Sequence, residues 1–571
     1  MRARNEPEEE ELGRRLGVSS VMAALLRNRG LRTPDEALAW LQPRLTALED
    51  PASLLDVQKA ADRLSRAVRD RERILIYGDY DVDGMVGTVI LVNFLRLAGA
   101  DVTWHIPDRT KEGYSFNEET INGFLASEKP PRVIVTVDHG ISANAGIRQL
   151  KSGGVDVIVT DHHEPPDVLP ADACALINPR RPGCPSRFKE LCGAAVAFKL
   201  AWATAQALSN AQKVTPEFRD FLVDATAFAA IATVTDLVSL TSDNRVLCVH
   251  GFRALAASRN PGLRAVLKTA GLDGHKIEAH HIAFRLGPRI NAAGRLGRTA
   301  TVIDLLTTRD PAEAGRLADL LESQNAERKD IERGVLAEAY RMLADDPPAD
   351  GDAICIGANA WHAGVIGIVA ARLTERYGVP AMVVALNGER GRGSARAPAG
   401  IHLRDVLADC SEHLLTFGGH AGAAGCSVTD ARFPAFREAF RRAVRARTDV
   451  NPLRQVLDID CELPLGKIRP EFLAELEMLA PHGRGNPPPV FCAHGVRVAG
   501  TPSTVGVKDA HLVFYAAEGD VAFRAIGFDQ GSRLLEVVGP GTRLSIAFRL
   551  KADKSRDRGA LELEVLDFKA S

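Results

Sequence analysis

The chain lacks closely spaced cysteines, a long apolar run and a strong net charge. Its nine cysteines include no C-x-x-C pair, which argues against a disulfide framework or a zinc ribbon and indicates a reduced, cytoplasmic protein. The most apolar stretch, residues 192–209, contains Lys199, and the start MRARNEPEEEE has no apolar signal region, so we expect no membrane association. The formal net charge of −2 gives no global basicity, but it is compatible with a local basic channel.

The order of sequence patterns predicts several domains, because 571 residues exceed what one hydrophobic core usually holds. We predict an N-terminal helical segment at 1–55, an α/β domain with a doubly wound parallel sheet at 56–309, a connecting helix at 310–345, a second α/β domain at 346–450 and a small β-barrel at 451–571. The barrel strands are predicted in VLDIDCELPL, HLVFYAA, VAFRAIGF, RLSIAFRL and LELEVLDF, and the OB-fold is the leading candidate.

Acidic or histidine-bearing segments follow apolar runs at four places in the first α/β domain. The runs 74–77, 133–137, 155–160 and 231–235 lead into GDYDVDG from Gly78, DHG from Asp138, DHH from Asp161, and Asp236. We interpret each run as a strand. Parallel sheets place ligands at the carboxyl ends of their strands, so one crevice is expected to collect at least four carboxylates and two imidazoles. So many anionic groups cannot share a site unneutralised, which predicts one or two divalent cations.

The types of ligand favour a hard cation. Carboxylate oxygens with a single imidazole suit Mn²⁺ or Mg²⁺, whereas zinc more often takes thiolates or several histidines. If residues 79–83 are extended, their alternate side chains point the same way, and the flanking glycines allow close approach to a ligand. An EF-hand is disfavoured because no glutamate stands at the twelfth loop position and a strand precedes the loop.

Four of these segments, GDYDVDG, TVDHG, DHH and TVTDLV, resemble the motifs of the DHH phosphoesterase superfamily. IPDRTKEGY, FRLGPRINAAGRLG, WHAGVIGIVAARLTERY, FGGHAGAAG and PHGRGNPPPVF are similar to segments of the RecJ family of bacterial single-strand-specific DNA exonucleases. The resemblance covers nearly the whole chain. The sequence departs from the pattern at His139, where Asn or Cys is usual, and at Tyr77, where some superfamily members place a metal-binding histidine. Every acidic motif position is filled, but these departures imply a second metal site that is weaker or differently filled.

The resemblance implies a DHH domain, a long connecting helix, a DHHA1 domain and a terminal OB-type barrel. The implied activity is hydrolysis of single-stranded DNA in the 5′ to 3′ direction, which releases mononucleotides and serves DNA repair and recombination. Single-stranded DNA, a helicase and a single-strand-binding protein are the implied partners, and the expected state is a monomer.

The family pattern also implies roles for residues of the acidic segments. The implied ligands of two Mn²⁺ or Mg²⁺ ions are Asp81, Asp83, Asp138, His162 and Asp236. Asp138 is best placed to bridge the two ions, and Asp79 is expected to act in catalysis as a further ligand or as an orienting group. His163 is the candidate that stabilises the transition state or protonates the leaving oxygen. Its alternative role is to hold a ligand in place by a hydrogen bond.

A further set of residues in matched motifs is predicted to contact DNA. This set comprises Arg109, Tyr114, Arg289, Arg295, Ser394, Arg396 and His420. Arginine suits bidentate phosphate contact, and Ser394 and Arg396 flank a single residue, a spacing that can hold one phosphate. Tyr114 is a candidate stacking platform, or else a loop aromatic that packs on its neighbours. His420 lies between glycines and resembles the substrate-binding histidine of DHHA1 domains.

Two other functions stay open. One is a DHH phosphoesterase that acts on short oligoribonucleotides, cyclic dinucleotides or pyrophosphate, although a pyrophosphatase would not need a C-terminal barrel or the motif around Arg289. The other is a non-catalytic scaffold that kept the fold, against which the intact carboxylates argue.

Overall fold

The computed structural model describes residues 6–108, 116–349, 352–448, 456–539, 541–553 and 561–570. The chain forms two compact units that are discontinuous in sequence. One unit consists of Met1–Asp50, Leu237–His250 and Val456–Ser571, and the other of Pro51–Asp236 and Gly251–Gln455. In the described part of the chain, no helix combines the length and the apolar character that crossing a bilayer requires.

The chain begins with three helices, α1 (Glu6–Leu16), α2 (Ser20–Asn28) and α3 (Pro34–Leu41). The start of α3 follows from the sequence T-P-D-E. The Thr33 hydroxyl accepts a hydrogen bond from the Glu36 amide at 3.3 Å, and the Glu36 carboxylate accepts one from the Thr33 amide at 3.0 Å.

The first sheet consists of five parallel strands. They are β1 (Ile74–Gly78), β2 (Val102–His105), β3 (Val133–Val137), β4 (Asp156–Thr160) and β5 (Ala175–Ile177), in the order β2-β1-β3-β4-β5. The helices of this region are α4 (Val57–Arg69), α5 (Val82–Leu97), α6 (Glu118–Leu125), α7 (Asn144–Ser152), α8 (Gly193–Ser209) and α9 (Pro216–Thr235).

Helices cover both faces of this sheet, which confirms the predicted doubly wound architecture. Residues of α6 and α7 pack on the face that carries Tyr77 and Val157, while α5 and α8 contact the strands on the other side. Because all strands are parallel, their carboxyl ends lie at one edge of the sheet. The strand order reverses between β1 and β3, and α/β sheets bind ligands in the crevice at such a switch point.

One predicted strand is wrong. Residues 231–235 are the last turns of α9, so Asp236 follows a helix. The β-branched residues suggested a strand, but they continue an alanine-rich stretch that favours a helix. The threonine hydroxyls donate within the helix, Thr233 to the carbonyl of Ala229 at 2.7 Å and Thr235 to that of Ile231 at 2.9 Å.

Further helices lead from the first sheet to the second. They are α10 (Ser242–Ala256), α11 (Pro261–Thr269), α12 (Ala279–His281), a π-helix (Ile282–Leu286), α13 (Gly287–Arg295), α14 (Ala300–Thr307) and α15 (Pro311–Asp345). The 35-residue α15 is the predicted long helix. Asp310 caps it, because its side chain accepts a hydrogen bond from the Ala312 amide at 2.9 Å.

The second sheet is mixed. Its strands are β6 (Ile354–Asn359), β7 (Ala381–Leu386), β8 (Arg390–Arg396), β9 (Thr416–Gly419) and β10 (Ala423–Thr429), in the order β6-β7-β8-β10-β9. Only β6 and β7 are parallel. The accompanying helices are α16 (Ile366–Tyr377), α17 (Leu403–Asp409) and α18 (Phe433–Thr448).

The C-terminal region forms the predicted barrel. Its elements are β11 (Cys461–Glu462), α19 (Pro470–Glu477), β12 (Phe491–Val505), β13 (His511–Glu518), β14 (Val521–Gly527), α20 (Leu534–Val537), β15 (Arg543–Ala552) and β16 (Leu561–Ala570). Pairing of β12 with β15 closes a five-stranded barrel. Short 3₁₀ turns lie at Leu45–Ala47, Pro51–Ser53, Ser411–His413, Asp430–Arg432, Leu465–Lys467, Val507–Asp509 and Gly531–Arg533.

The first barrel strand was assigned to the wrong residues. The predicted strand VLDIDCELPL contributes only the short β11, while the 15-residue β12 was not predicted as a strand. β12 contains Gly495, Gly500 and Pro502, which usually interrupt strands. Register shifts between Ala493 and Val496 and between Ala499 and Ser503 accommodate them.

The N-terminal helices share one core with the barrel. Met22, Leu25 and Leu26 of α2 pack in the same cluster as Phe491 and Phe548. Within this unit the Arg245 side chain, only 2% exposed, stacks on Trp40 at 3.5 Å. It donates to the carbonyls of Trp40 (2.8 Å), Leu479 (3.2 Å), Met478 (3.4 Å) and Ala480 (2.8 Å). Arg245 therefore ties three separate parts of the chain together.

Arg245→Met is expected to lower the free energy of unfolding of this unit by about 3 kcal/mol, because four carbonyls, in buried or partly buried positions, lose a charged donor. Native-state hydrogen–deuterium exchange should show faster exchange in α2 and β12. The control is Arg253→Met, which removes an exposed arginine from the same helix. Equal exchange in the two variants would contradict the prediction.

Candidate metal centre

The turn after β1 brings its carboxylates to the start of α5. Asp81 caps this helix, since its Oδ1 accepts hydrogen bonds from the amides of Asp83 at 2.9 Å and Gly84 at 3.1 Å. Asp83 therefore lies in the first helical turn, and the extended conformation considered for residues 79–83 is wrong. A side chain at Gly84 would come within 2.5 Å of the Asp79 nitrogen, so glycine is needed for the turn to close.

Asp83 lies between the N-termini of two helices. Its oxygens accept hydrogen bonds from the amides of Gly193 at 2.6 Å and Ala194 at 2.7 Å, at the start of α8. Burial, and then the charge of Asp81, raises the pKa of Asp83 to about 6, although the two amides act in the opposite direction. Helix N-termini stabilise anions, so they hold this carboxylate where its neighbours repel it.

Asp138 follows β3 in a left-handed backbone conformation with a φ of 67°. It is 1% exposed, and a side chain at Gly193 would come within 2.7 Å of its Oδ1. Among the described residues, none donates a hydrogen bond to this oxygen; His162 Nε2 approaches to 3.1 Å without the required direction. Burial, followed by the charges of Asp83 and Asp81, raises the pKa of Asp138 well above its usual value. Such an oxygen needs a cation.

Asp236 and His162 complete this end of the sheet. His162 Nε2 lies 3.7 Å from carboxylate oxygens of both Asp83 and Asp236. Burial, and then the charges of Asp83 and Asp81, raises the pKa of Asp236 to about 8. Burial, and then the charge of His163, lowers the pKa of His162 to about 3, so its imidazole is neutral and can act as a ligand.

These side chains form overlapping sets of potential metal ligands. The sets are Asp79, Asp81 and Asp138; Asp83, His162 and Asp236; and Asp138, His162 and His163, with the ligand atoms of each set within 4.8 Å of one another. Asp138 and His162 each belong to two of them. An oxygen-rich set with a neutral imidazole and an unsatisfied buried carboxylate oxygen fits Mn²⁺ or Mg²⁺.

Asp161 orients the histidine pair, a role that the sequence analysis did not assign. It is fully buried and accepts hydrogen bonds from the amides of Ile141, His162 and His163, and from His163 Nδ1 at 2.7 Å. Burial raises its pKa, but the hydrogen bonds and charge of His163 dominate and bring it to about 2. Burial lowers the pKa of His163, yet the contact with Asp161 raises it to about 9. His163 is therefore a cationic group beside the candidate ligands.

Asn178 is a second supporting residue that the sequence analysis missed. Its side-chain amide donates to the His163 carbonyl at 2.9 Å from the loop after β5. The DHH segment itself contained the signal for Asp161, since an acidic residue directly before two histidines can accept from both of them. Asn178 had no comparable signal, because its partner is a backbone atom 15 residues away.

The two departures from the family pattern contact each other. His139 Nε2 lies 2.9 Å from the Tyr77 carbonyl, and burial lowers the pKa of His139 to about 4. The Tyr77 ring packs with His105, Phe116 and Phe124. Neither residue belongs to a candidate ligand set among the described residues. Together with these rings, Tyr77 and His139 form an aromatic cluster.

Two of the predicted DNA-contact residues of the second α/β domain, which we call the second lobe, line a cleft of about 1020 Å³; they are Ser394 and Arg396. Ser394 and Arg396 share one face of β8, and Arg396 Nη1 lies 3.2 Å from Ser394 Oγ. Arg295, from α13, also lines the cleft and donates to the Gly364 carbonyl at 2.8 Å. The start of α16 lies beside them, since a side chain at Gly367 would come within 3.2 Å of both Ser394 Oγ and the Arg396 guanidinium.

The other predicted contacts differ in their surroundings. The Arg289 guanidinium contacts Glu322 of α15 at 2.5 Å and the Arg285 carbonyl at 2.7 Å, so it is engaged within the fold and its DNA contact stays a prediction. Burial, and then the charge of His163, lowers the pKa of His420, and its contact with DNA stays a prediction. Arg109 and Tyr114 lie outside the described residues.

Three segments of the chain match known families. Residues 73–226 match the DHH family, N-terminal domain; residues 351–446 match the DHHA1 domain; and residues 459–567 match the RecJ OB domain.

Relatives of known name match most of the chain. The single-stranded-DNA-specific exonuclease RecJ of Bacillus subtilis is 33% identical over 558 residues, which are 97% of this chain and 69% of the relative. The RecJ of Haemophilus influenzae is 31% identical over 97% of both chains. The crystal structure of Thermus thermophilus RecJ in complex with Mn²⁺ matches with a TM-score of 0.82 at 32% identity, over 100% of this chain and 78% of that one. The Mg²⁺ complex matches over 100% and 77%, at 30% identity, with a TM-score of 0.77.

Asp138→Asn is expected to weaken Mn²⁺ binding by more than about a hundredfold. Removing a ligand that two ion sites share should cost more metal affinity than removing a group that only orients a ligand. Asparagine tolerates the left-handed backbone, so the fold should be preserved. Calorimetric titration with Mn²⁺ measures the effect. The control, Asp172→Asn, alters a carboxylate paired with Arg148 at the surface and should bind like the wild type. Equal affinities in the two variants would exclude Asp138 as a ligand.

Proposed function

Because the chain belongs to the RecJ family of single-stranded-DNA-specific exonucleases, we propose that it degrades single-stranded DNA from the 5′ end and releases mononucleotides. The observation that carries this proposal is the meeting of unneutralised carboxylates at the switch point of the first sheet, next to a cleft rich in arginine. The first feature suits phosphodiester hydrolysis, and the second suits a polyanionic substrate.

Two cations are part of the proposal. Asp79, Asp81 and Asp138 would hold one Mn²⁺ or Mg²⁺ ion, and Asp83, His162 and Asp236 the other, with Asp138 between them. Bound cations would supply an ionised water and neutralise the phosphate as its charge increases. Asp138 Oδ1 lies 3.1 Å from His162 Nε2, a member of the second set, and this proximity supports the arrangement. In it Asp79 has the role of a ligand.

His163 is the proposed catalytic cation. Asp161 holds its Nδ1, which leaves Nε2 for the substrate. As an imidazolium it can donate a hydrogen bond to a phosphate oxygen, or a proton to the leaving 3′ oxygen. In the reaction a water oxygen bonds to phosphorus and the bond from phosphorus to the 3′ oxygen breaks. The new 5′ phosphate stays on the remaining strand.

The proposed end recognition uses the cleft of the second lobe. Ser394 and Arg396 lie beside Gly367 in the first turn of α16, and helix N-termini leave their first amides without partners in the helix. A 5′ phosphate bound there would set the terminal nucleotide in register with the metal centre. This position supports the 5′ to 3′ direction.

The proposal also covers the partners, the oligomeric state and the cellular location of the protein. A single-strand-specific enzyme needs a source of single strands, so a helicase and a single-strand-binding protein are its proposed partners. We propose that the protein acts as a monomer in the cytoplasm and that the barrel contributes to binding of longer strands. The alternative, hydrolysis of short oligoribonucleotides or cyclic dinucleotides, is tested by including these substrates in the assay below.

His162→Ala is expected to lower the rate of Mn²⁺-dependent cleavage of 5′-labelled single strands by more than about a hundredfold. Binding of single strands should persist, because phosphate contacts elsewhere dominate affinity. This variant is cleaner than Asp83→Ala, which would also remove the contacts to the start of α8. His275→Ala is the control, since this histidine is exposed outside the site. Cleavage by His162→Ala at the wild-type rate would contradict the assignment, and comparison with 3′-labelled strands measures the direction.

Arg396→Ala is expected to reduce the preference for 5′-phosphorylated over 5′-hydroxyl strands by about tenfold, the effect of losing one charge-assisted hydrogen bond. Initial cleavage rates on the two substrates give the ratio. Arg442→Ala, which removes an exposed arginine from α18, is the matched control. If Arg396→Ala keeps the wild-type ratio, the 5′ phosphate is bound elsewhere.

A further inference from the structure

The cleft of the second lobe extends beyond the proposed position of the 5′ phosphate. Along β8 the side chains alternate between the two faces of the sheet. Gly391, Gly393 and Ala395 are buried, whereas the other face carries Arg390, Arg392, Ser394 and Arg396. Arg390 and Arg392 are exposed and line the same cleft as Ser394 and Arg396. The basic face of the strand thus continues past the proposed terminal phosphate site.

The neighbouring strands add hydroxyl groups and an open floor. Arg392 pairs with Ser427 of β10, which in turn pairs with Thr416 of β9, so these side chains share one face. Ser394 pairs in the same way with Gly425, which pairs with Gly418. Nothing lies within 4 Å of a side chain placed at Gly418, and only the Gly393 carbonyl, at 3.4 Å, lies near one placed at Gly425. The floor has room for a ligand.

The charge of the cleft is uniform. Arg295, Arg390, Arg392 and Arg396 line it, and no acidic side chain does so among the described residues. A cleft whose low-dielectric walls carry charges of one sign raises the local concentration of a ligand with the opposite charge. Its volume of about 1020 Å³ exceeds what a single phosphate would fill. The cleft therefore suits an anion larger than a terminal phosphate.

The spacing of the basic side chains indicates the nature of this anion. Residues two apart on a strand are roughly 6.6–6.8 Å apart, so Arg392 lies one such step from Ser394. This separation is comparable with that of successive phosphates in an extended single strand. A second phosphate one nucleotide away from the first would therefore meet Arg392 and Ser427.

We propose that this part of the cleft is a subsite for one additional nucleotide on the 5′ side, whose phosphate binds Arg392 and Ser427. The inference rests on the proposed function, because it assumes that a strand enters with its 5′ end toward β8. In this register an internal phosphate occupies Ser394 and Arg396. The same hydrolysis then breaks the next phosphodiester bond and releases a dinucleotide with a free 3′ hydroxyl, while the new 5′ phosphate stays on the strand. The enzyme thus releases both mononucleotides and dinucleotides.

Digestion of a short single strand that carries a radioactive 5′ phosphate tests this subsite. The full-length protein and Mn²⁺ are used, with enzyme in excess so that the first labelled product is observed. The wild type should release labelled mononucleotide and dinucleotide. Arg392→Ala and Ser427→Ala should each lower the share of dinucleotide, by about tenfold for the arginine. Arg392 is exposed and Ser427 is partly exposed, so the variants should fold, which circular dichroism checks.

The matched control is Arg442→Ala. This exposed arginine lies on α18, a helix that packs through Phe436 and Phe440 on the opposite face of the sheet, with Ala395 and Cys426. It should give the product ratio of the wild type. A wild type that releases only mononucleotide, or an Arg392→Ala variant with an unchanged dinucleotide share, would overturn the subsite.

Two further substrates serve separate purposes. One distinguishes a nucleotide from a polyphosphate end as the occupant of the subsite, and the other tests the direction of cleavage that the proposed function assumes. A strand with a 5′ triphosphate tests whether Arg392 binds a polyphosphate end. Dependence on Arg392 for that strand alone, without any dinucleotide from the monophosphate strand, would overturn the assignment to a nucleotide. A strand labelled at its 3′ end tests the direction. Release of the 3′ label first would overturn the proposed function itself, a result that differs from exclusive mononucleotide release at the 5′ end.

Discussion

Repulsion among buried carboxylates is the constraint on which the first sheet and its surroundings depend. Burial and mutual charge raise the pKa values of Asp83, Asp138 and Asp236, so the arrangement is unfavourable unless positive charge is supplied. The fold supplies part of that charge through the N-termini of α5 and α8, and through the cationic His163. Bound divalent cations can supply the remaining positive charge. The repulsion among these carboxylates, rather than the shape of a pocket, thus explains why a metal ion is expected here.

The sequence predicted the parts of this site that follow strands. Asp138 and the histidine pair follow β3 and β4 as expected, since buried apolar runs ending in polar residues are a local signal. Asp236 was predicted as a member of the site, but its position after α9 was not, because threonine, valine and isoleucine suit a strand unless alanines precede them. Asp81 caps α5 through the amides two and three residues further on, a local contact that the sequence analysis did not identify. The amides that Asp83 binds belong instead to α8, which begins 110 residues after Asp83. Such contacts leave no local pattern.

The two sheets present functional groups in different ways. The first uses the ends of its parallel strands, where successive loops bring side chains from distant parts of the sequence together. The second uses the face of β8, where alternation places every second residue on one surface. Sequence analysis identified Ser394 and Arg396 through their motif, but it passed over Arg390 and Arg392, which belong to the same alternation. Only the antiparallel partner strands show that this surface continues.

The shared core of α2 and the barrel has a consequence for how the chain folds during synthesis. The helices α1 to α3 leave the ribosome first, but Phe491 and Phe548, which pack in the same core as Leu25, are made more than 450 residues later. Until then the apolar face of α2 lacks its partners in the barrel and is exposed to aggregation or to chaperones. The segment Leu237–His250 belongs to the same unit and also lacks its C-terminal partners until they are synthesised. It directly follows Asp236. The last of the candidate ligands is therefore joined to a segment that cannot reach its final environment until the C-terminal strands have been synthesised.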